Sequence, residues 1–201
     1  MRKTVMLALA RLAFDLALPT EEAGTTPLTK PDRDEHWVRR LFEKAVAGFY
    51  AVELVPKGWI VRPGHVLHWP VTMSSEGMEA ILPSMKTDMV LDAPNGRRIV
   101  IDTKFTSIVT KNWYREESLR SGYLYQMYAY LRSQEDLGIA SPWNAAAGIL
   151  LHPTIDKNFD EIAKIQGHEM RFVTLDLSQS PRTIRSALRE IALRVSAGSE
   201  K

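Results

Sequence analysis

Apolar residues recur at helical spacing in four segments of the chain, and each segment predicts an amphipathic helix. In the second segment Val38, Phe42 and Phe49 belong to one apolar stripe, and Asp34 is placed to cap the first turn. The last helix is predicted to open at Ser180, because a capping residue followed by proline is a preferred helix start. The other predicted helices span residues 1–18, 35–50 and 118–132.

Short runs of β-branched and apolar residues between these helices predict strands. The strongest pair flanks residues 92–96, where Asn95 and Gly96 indicate a hairpin turn. The predicted strands span residues 59–62, 65–71, 87–91, 97–105, 145–151 and 170–177. This order of elements predicts an α/β fold, with a mixed central sheet flanked by helices.

The length of 201 residues fits one main domain. Residues 19–34 are rich in proline, threonine, glycine and charge, which predicts a loop after the first helix. We therefore predict an N-terminal helix and loop at 1–33 and a single folded domain at 34–201.

Composition narrows the function by exclusion. The chain has no cysteine, which excludes disulfides, thiolate zinc sites, cysteine nucleophiles and iron–sulfur clusters and favours a reducing, cytoplasmic compartment. No segment reaches the roughly 18 consecutive apolar residues that a membrane span requires, so we expect a soluble protein with no membrane partner. The net charge of +2 neither predicts nor excludes a nucleic-acid partner, since a local basic patch matters more than the sum.

The candidate chemistry lies in the predicted hairpin. Asp102 and Lys104 are two residues apart in a strand, so their side chains share one face, while Ile99, Ile101 and Thr103 are predicted to face the core. Asp88 begins the partner strand, and folding at the turn is expected to bring it beside Asp102.

Two neighbouring carboxylates repel each other unless a cation lies between them. Carboxylate oxygens without sulfur or imidazole favour Mg²⁺, for which Mn²⁺ substitutes. A lysine beside such a metal activates water and stabilises charge on a phosphate. We therefore expect Asp88 and Asp102 to bind the metal and Lys104 to assist hydrolysis of a phosphodiester. The ordinary alternative is an exposed strand end with a surface salt bridge between Asp102 and Lys104.

The predicted helix at 118–132 carries a second candidate group. Tyr123, Gln126 and Tyr130 recur at i, i+3 and i+7, so they form a stripe suited to contact a phosphate or a base. Helix packing with tyrosines at the core edge is the alternative.

Two further candidates lie outside that helix. Glu43 lies among apolar positions of the second helix, where it would either support a metal site or form a salt bridge on a solvated face. Lys111 and Arg115 follow the catalytic strand and would either track a DNA backbone or lie on a solvated loop.

Three segments together resemble the McrC family, the nuclease subunit of the McrBC modification-dependent restriction system. They are residues 82–88, 101–104 and 124–130, and the resemblance extends over most of the chain to about Leu151. It implies a restriction-endonuclease-like fold of the PD-(D/E)XK type. It also implies that Asp88 and Asp102 bind Mg²⁺ and that Lys104 is catalytic. The pair Gln126 and Tyr130 is similar to an element that lies near the active site of RecB-like nucleases.

The expected function is therefore a Mg²⁺-dependent DNA endonuclease that works in defence, with a McrB-like GTPase as the family's partner. Members usually carry a further N-terminal domain that engages the GTPase, and this sequence begins close to the predicted nuclease domain, so that partnership is a separate expectation. The alternative function is a non-catalytic DNA- or partner-binding module on a nuclease fold. An RNA substrate is a further alternative that the sequence does not decide.

Overall fold

The structure, a computed structural model, describes residues 31–112, 115–135, 142–155 and 157–197. Its helices are α1 (Pro31–Leu54), α2 (Met78–Ile81), α3 (Ser121–Arg132) and α4 (Pro181–Ala197), with short 3-10 turns at Val55–Lys57 and Pro142–Ala145. Its strands are β1 (Ile60–Pro63), β2 (Val66–Leu67), β3 (Met85–Lys86), β4 (Met89–Asp92), β5 (Arg98–Thr103), β6 (Val109–Asn112), β7 (Arg115–Leu119), β8 (Ala147–Pro153), β9 (Asp160–Ile165) and β10 (His168–Leu175).

Six of these strands form one mixed sheet in the order β1-β4-β5-β8-β10-β9. The three central strands β5, β8 and β10 are parallel, and β4, β1 and β9 each run antiparallel to a neighbour. The predicted α/β architecture with a mixed central sheet is therefore confirmed. Two small antiparallel pairs, β2 with β3 and β6 with β7, lie outside this sheet.

Both faces of the sheet are buried, because side chains of a strand alternate between two layers of helix. Ile99 and Ile101 of β5 pack in a core that α1 and α4 complete, whereas Val100 packs in a second core with Met127 and Leu131 of α3. For β5, only the side of Ile99 and Ile101 was predicted to face the core, whereas Val100 on the other side is buried as well. An apolar residue at every position from Ile99 to Ile101 is what a central parallel strand requires.

The predicted helix at 35–50 is real but longer, since α1 runs from Pro31 to Leu54. The predicted start of the last helix is confirmed, because the Ser180 hydroxyl accepts a hydrogen bond from the Thr183 backbone N–H at 3.2 Å. The predicted helix at 1–18 lies outside the described residues. Within the described part of the chain, no helix combines the length and hydropathy that crossing a membrane requires.

The hairpin turn is also confirmed. The Ala93 backbone N–H donates to the Arg97 carbonyl at 2.9 Å, and Gly96 adopts φ 84°, a conformation that glycine reaches without strain. The predicted strand 87–91 begins only at Met89, because Thr87 lies between β3 and β4 and donates its N–H to the His65 carbonyl.

In the middle of the chain the start of one predicted helix differs from the structure, and one edge strand was missed. The predicted helix at 118–132 begins only at Ser121, because residues 118 and 119 belong to β7. The edge strand β9 was not predicted, since most of its side chains are exposed and its apolar pattern is weak. The turn between β9 and β10 is formed by Gln166 and Gly167, which adopt φ of 47° and 90°. A glycine at such a position is a sequence indication of a hairpin.

Removing one buried hydroxyl tests how α1 and α4 are joined. The phenol of Tyr50 in α1 is fully buried and donates to the Leu188 carbonyl of α4 at 3.0 Å. Tyr50→Phe is expected to lower the free energy of unfolding by about 1 kcal/mol, the usual net contribution of one hydrogen bond. Urea denaturation measures this, with the exposed Tyr125→Phe as the control that leaves stability unchanged. Equal stability of both variants would contradict the assigned bond.

Candidate functional site

Asp88 and Asp102 meet at the open end of the β4–β5 hairpin. The antiparallel register pairs Met89 with Ile101, so the next position brings Asp88 opposite Asp102. Thr103 fixes Asp88 in place, because its backbone N–H and its hydroxyl each donate to Asp88 Oδ2 at 2.6 Å. The predicted proximity of the two aspartates across the hairpin is therefore present in the fold.

Lys104 lies beside Asp102, with its Nζ 2.8 Å from Asp102 Oδ2. This is the salt bridge of the ordinary alternative, but it is not a surface pair. Asp102 is 3% exposed and Lys104 is 5% exposed. Lys104 is also fixed through its backbone, since its N–H donates to the Leu151 carbonyl of β8 at 2.9 Å. Burying two charges is costly, so a pair held inside the protein at a strand end indicates a functional site more strongly than an exposed pair does.

The environment of Asp102 opposes its ionisation. Burial raises the pKa of Asp102 to about 6, and the neighbouring Asp88 charge acts in the same direction, whereas Lys104 acts against them. Asp102 Oδ2 is engaged by the Lys104 ammonium alone, at 2.8 Å, and no other described donor reaches it. A cation bound beside the two aspartates would favour their charged forms.

Helix α3 holds Lys104 from the other side. The Gln126 side-chain oxygen accepts a hydrogen bond from Lys104 Nζ at 3.0 Å, and the Gln126 amide donates to the Tyr130 hydroxyl at 2.6 Å. Tyr130 in turn donates to the Lys86 carbonyl at 2.9 Å. The ring of Tyr123 lies 4.9 Å from Lys104 Nζ, in a cation–π arrangement. The structure thus brings the predicted stripe of Tyr123, Gln126 and Tyr130 to the site.

Tyr130 also satisfies the packing alternative, because it is 4% exposed and belongs to the core on the α3 side. Its hydroxyl therefore positions Gln126 from within the core.

Glu43 approaches the site from α1. It is half-buried, and burial raises its pKa, with the Asp88 charge as the next cause in the same direction. Among the described residues it forms no ion pair, which does not fit the alternative of a salt bridge on a solvated face. Glu43 is therefore the third carboxylate near Asp88 and Asp102.

Lys111 and Arg115 lie on β6 and β7, whose backbones form a two-stranded hairpin in which Asn112 pairs with Arg115. The predicted loop is therefore a β-hairpin that follows β5. The side chains of Lys111 and Arg115 lie outside the described residues, so their contact with DNA stays a prediction.

The side chains of the site fit Mg²⁺ better than Zn²⁺. No three histidine or acidic side chains of the described residues converge on one point, which does not fit a zinc site with three or four protein ligands. Mg²⁺ binds through one or two carboxylates, keeps several waters and prefers oxygen. Asp88 and Asp102 place two carboxylates opposite each other, with the Lys104 ammonium as the one described cation in contact with Asp102, and this donor set fits that requirement.

Two residues of the site were not found from the sequence. Thr103 is buried as predicted, but its hydroxyl also holds Asp88, which the sequence did not indicate. His152 of β8 is 1% exposed, donates from Nδ1 to the Thr106 carbonyl at 2.9 Å, and packs against Tyr123 with 6.0 Å between ring centroids. Burial lowers the pKa of His152 to about 4. It follows an apolar run in the sequence, and no spacing relates it to Tyr123.

Comparison with known proteins gives the family. The family model described as McrBC 5-methylcytosine restriction system component matches residues 37–139, slightly more than half of the chain. The matched stretch includes Glu43, Asp88, Asp102, Lys104 and Gln126. The chain belongs to this family of McrBC restriction system components, and the resemblance found in the sequence is confirmed.

Individual relatives are more distant. Over 188 residues the chain is 22% identical to the type IV methyl-directed restriction enzyme EcoKMcrBC of Escherichia coli, an alignment covering 92% of this chain and 51% of that protein. A solved half-complex from a tetradecameric assembly of Thermococcus gammatolerans McrB AAA+ hexamers with bound McrC matches with a TM-score of 0.46 and 17% identity. That match covers 94% of this chain and 50% of the other. The chain therefore spans about half the length of these relatives.

Proposed function

We propose that this chain is the Mg²⁺-dependent DNA-cleaving part of a McrC-like restriction subunit, an endodeoxyribonuclease that hydrolyses phosphodiester bonds. The observation that carries the proposal is the buried pair of Asp102 and Lys104 beside Asp88, at the open end of the β4–β5 hairpin. Membership of the McrBC family supports a role in restriction. The PD-(D/E)XK assignment of the site belongs to the same proposal.

Asp88 and Asp102 are the proposed ligands of Mg²⁺, for which Mn²⁺ substitutes. When bound, the metal supplies a reactive water and neutralises charge on the phosphate. The protein contributes a fixed geometry, because Thr103 locks one carboxylate and the parallel pairing of β5 with β8 locks the other. Carboxylates held in this way lose little freedom when they bind the ion.

Lys104 is the proposed catalytic cation. Hydrolysis adds a water oxygen to phosphorus and breaks the bond to one sugar oxygen, which takes up a proton from the solvent as it leaves. The ammonium of Lys104 donates hydrogen bonds to the water and to a phosphate oxygen on which negative charge grows. Gln126 and Tyr123 hold the ammonium at its position, which spares the reaction the cost of ordering a long side chain.

Glu43 is the proposed supporting base. Its pKa is raised by burial and by Asp88, so its carboxylate takes up a proton more readily than an ordinary surface glutamate does. A proton released by the attacking water therefore has an acceptor on α1, opposite Lys104.

A McrB-like GTPase is the proposed partner, and DNA is the proposed substrate. Both follow from the family and not from a feature of the site, because phosphate and metal chemistry is shared by DNA and RNA. Since the chain spans about half of its relatives, the remainder of such a protein is the proposed place of engagement with the GTPase.

Cleavage of supercoiled plasmid by the purified protein tests the function. With Mg²⁺ or Mn²⁺ the plasmid is expected to be nicked and then linearised. With EDTA cleavage is expected to stop, because the carboxylates alone provide no reactive water. A duplex RNA of equal length, in the same buffer, serves as the substrate control and is expected to stay intact.

The McrB-like partner and GTP are added in a parallel reaction, since an isolated nuclease subunit can depend on its partner for activity. If plasmid stays intact with either metal, both with and without the partner, the nuclease proposal is wrong. Cleavage that persists in EDTA would contradict the proposed metal site.

A further inference from the structure

Positive side chains lie around the three carboxylates of the site, and they do not act on the same groups. Burial raises the pKa of Glu43, and the positive charges of Lys86, Arg39 and Arg40 oppose that rise. Of these three, Arg39 also acts to lower the pKa of Asp102. Coulomb interactions fall with distance, so the Arg39 charge is near enough to act on both carboxylates.

Packing of α1 explains this position. Arg39, Phe42 and Glu43 are spaced i, i+3 and i+4, so they share one face of the helix. Phe42 is fully buried and meets Phe105 edge-on, with 5.7 Å between ring centroids. Phe105 directly follows Lys104, so this contact holds the Arg39 face of α1 against the catalytic end of β5.

Arg39 and Lys104 differ in solvent exposure and in whether their charged groups have partners. Lys104 is buried, and it is engaged by Asp102, Gln126 and the ring of Tyr123. Arg39 is exposed and makes no hydrogen bond or ion pair with any described residue. A guanidinium open to solvent beside a buried catalytic pair is suited to receive a phosphate, because its planar donors match two phosphate oxygens.

We propose that Arg39 contacts the non-bridging oxygens of the scissile phosphate and stabilises the charge that develops there during cleavage. This inference rests on the proposed nuclease function and assigns a substrate-contacting residue to the same site. Lys104 acts on the phosphate from the interior of the protein, and Arg39 acts on it from the solvent side. Arg40, next along the helix, contributes only general attraction to the DNA backbone.

Single-turnover cleavage tests this, with enzyme in saturating excess over a linear duplex in Mg²⁺. Arg39→Ala is expected to lower the rate by about 10- to 100-fold, the effect of losing one hydrogen bond between charged groups. Arg39→Lys keeps the charge without the planar donors and is expected to give an intermediate rate. The matched control Arg40→Ala removes the same charge one residue away and is expected to keep the native rate.

DNA affinity, measured in Ca²⁺ without cleavage, separates catalysis from attraction. Both alanine variants are expected to weaken binding by a similar small factor, since each removes one cation near the backbone. Equal rates for Arg39→Ala and Arg40→Ala at saturation would overturn the inference. So would a rate loss in Arg39→Ala accompanied by a lower Tm, because an exposed side chain contributes little to folding.

Failure of the two proposals is distinguishable. If the unmodified chain and Arg40→Ala cleave DNA and Arg39→Ala cleaves it equally fast, the nuclease function stands and the role of Arg39 is wrong. If the unmodified chain cleaves no DNA in the plasmid reactions, including those with the partner, the function is wrong and the role of Arg39 falls with it.

Discussion

Lys104→Ala is expected to abolish DNA cleavage, with a rate loss of about 1000-fold, at the upper end of what one preorganised donor contributes. The ammonium is the one cation in direct contact with Asp102 among the described residues, and Gln126 and Tyr123 are arranged to hold it there. Alanine removes the charge and leaves the backbone bond to Leu151 in place. The measurement is plasmid cleavage in Mg²⁺, under the conditions in which the unmodified chain is active.

The matched control is Lys164→Ala, which removes an exposed lysine from β9 at the opposite edge of the sheet. It is expected to cleave at the native rate. Circular dichroism and DNA affinity in Ca²⁺ should show that Lys104→Ala keeps its fold and its binding. A native cleavage rate in Lys104→Ala would show that the proposed mechanism is wrong.

Asp102→Asn is expected to remove the stabilisation of the fold by Mg²⁺. A ligand that binds only the folded state raises the free energy of unfolding by about 2.7 kcal/mol at 100 times its Kd. The neutral amide lacks the charge that attracts the ion, and it leaves Asp88 as the one remaining proposed ligand. Thermal unfolding with and without Mg²⁺ should show a rise in Tm for the unmodified chain and none for the variant.

Asp92→Asn provides a control at the other end of the same hairpin. Asp92 is paired with Arg98, with 2.7 Å between Oδ1 and Nε, and also with Arg62. Its amide variant is expected to lower Tm in the absence of metal, because two guanidinium groups lose an anionic partner, but to keep the full rise in Mg²⁺. If Mg²⁺ stabilises Asp102→Asn as much as the unmodified chain, Asp102 is not a ligand. If Mg²⁺ stabilises neither the unmodified chain nor Asp102→Asn, the fold would be that of a module without a metal site.

Local sequence was sufficient to predict the elements with strong patterns. The turn at Asn95 and Gly96 sets the β4–β5 register, and that register alone places Asp88 opposite Asp102. The apolar stripe of α1 and the cap at Ser180 are equally local. Such features are predictable because a few neighbouring residues determine them.

Weaker elements depend on neighbours that are remote in sequence. The strand β9 is stabilised by backbone pairing with β10 and keeps most of its side chains in solvent. Its sequence therefore lacks the alternation of apolar residues that predicts a strand. Residues 118 and 119 continue the stripe of α3 in sequence, yet they pair with Thr110 and Val109 as a strand. In both cases tertiary pairing outweighs local preference.

The sequence by itself determined which groups serve the proposed chemistry: two carboxylates and a lysine on one hairpin, no thiolates, and a helix with a stripe of amide and phenol groups. Tertiary structure alone decided which groups these residues meet. Asp102 and Lys104 are buried because α3 covers their face of the sheet, Asp88 is held by the hydroxyl of Thr103, and α1, which carries Glu43, is held beside the end of β5 because Phe42 packs on Phe105. Contact between distant segments depends on how layers pack, and a periodic pattern records only which face is buried.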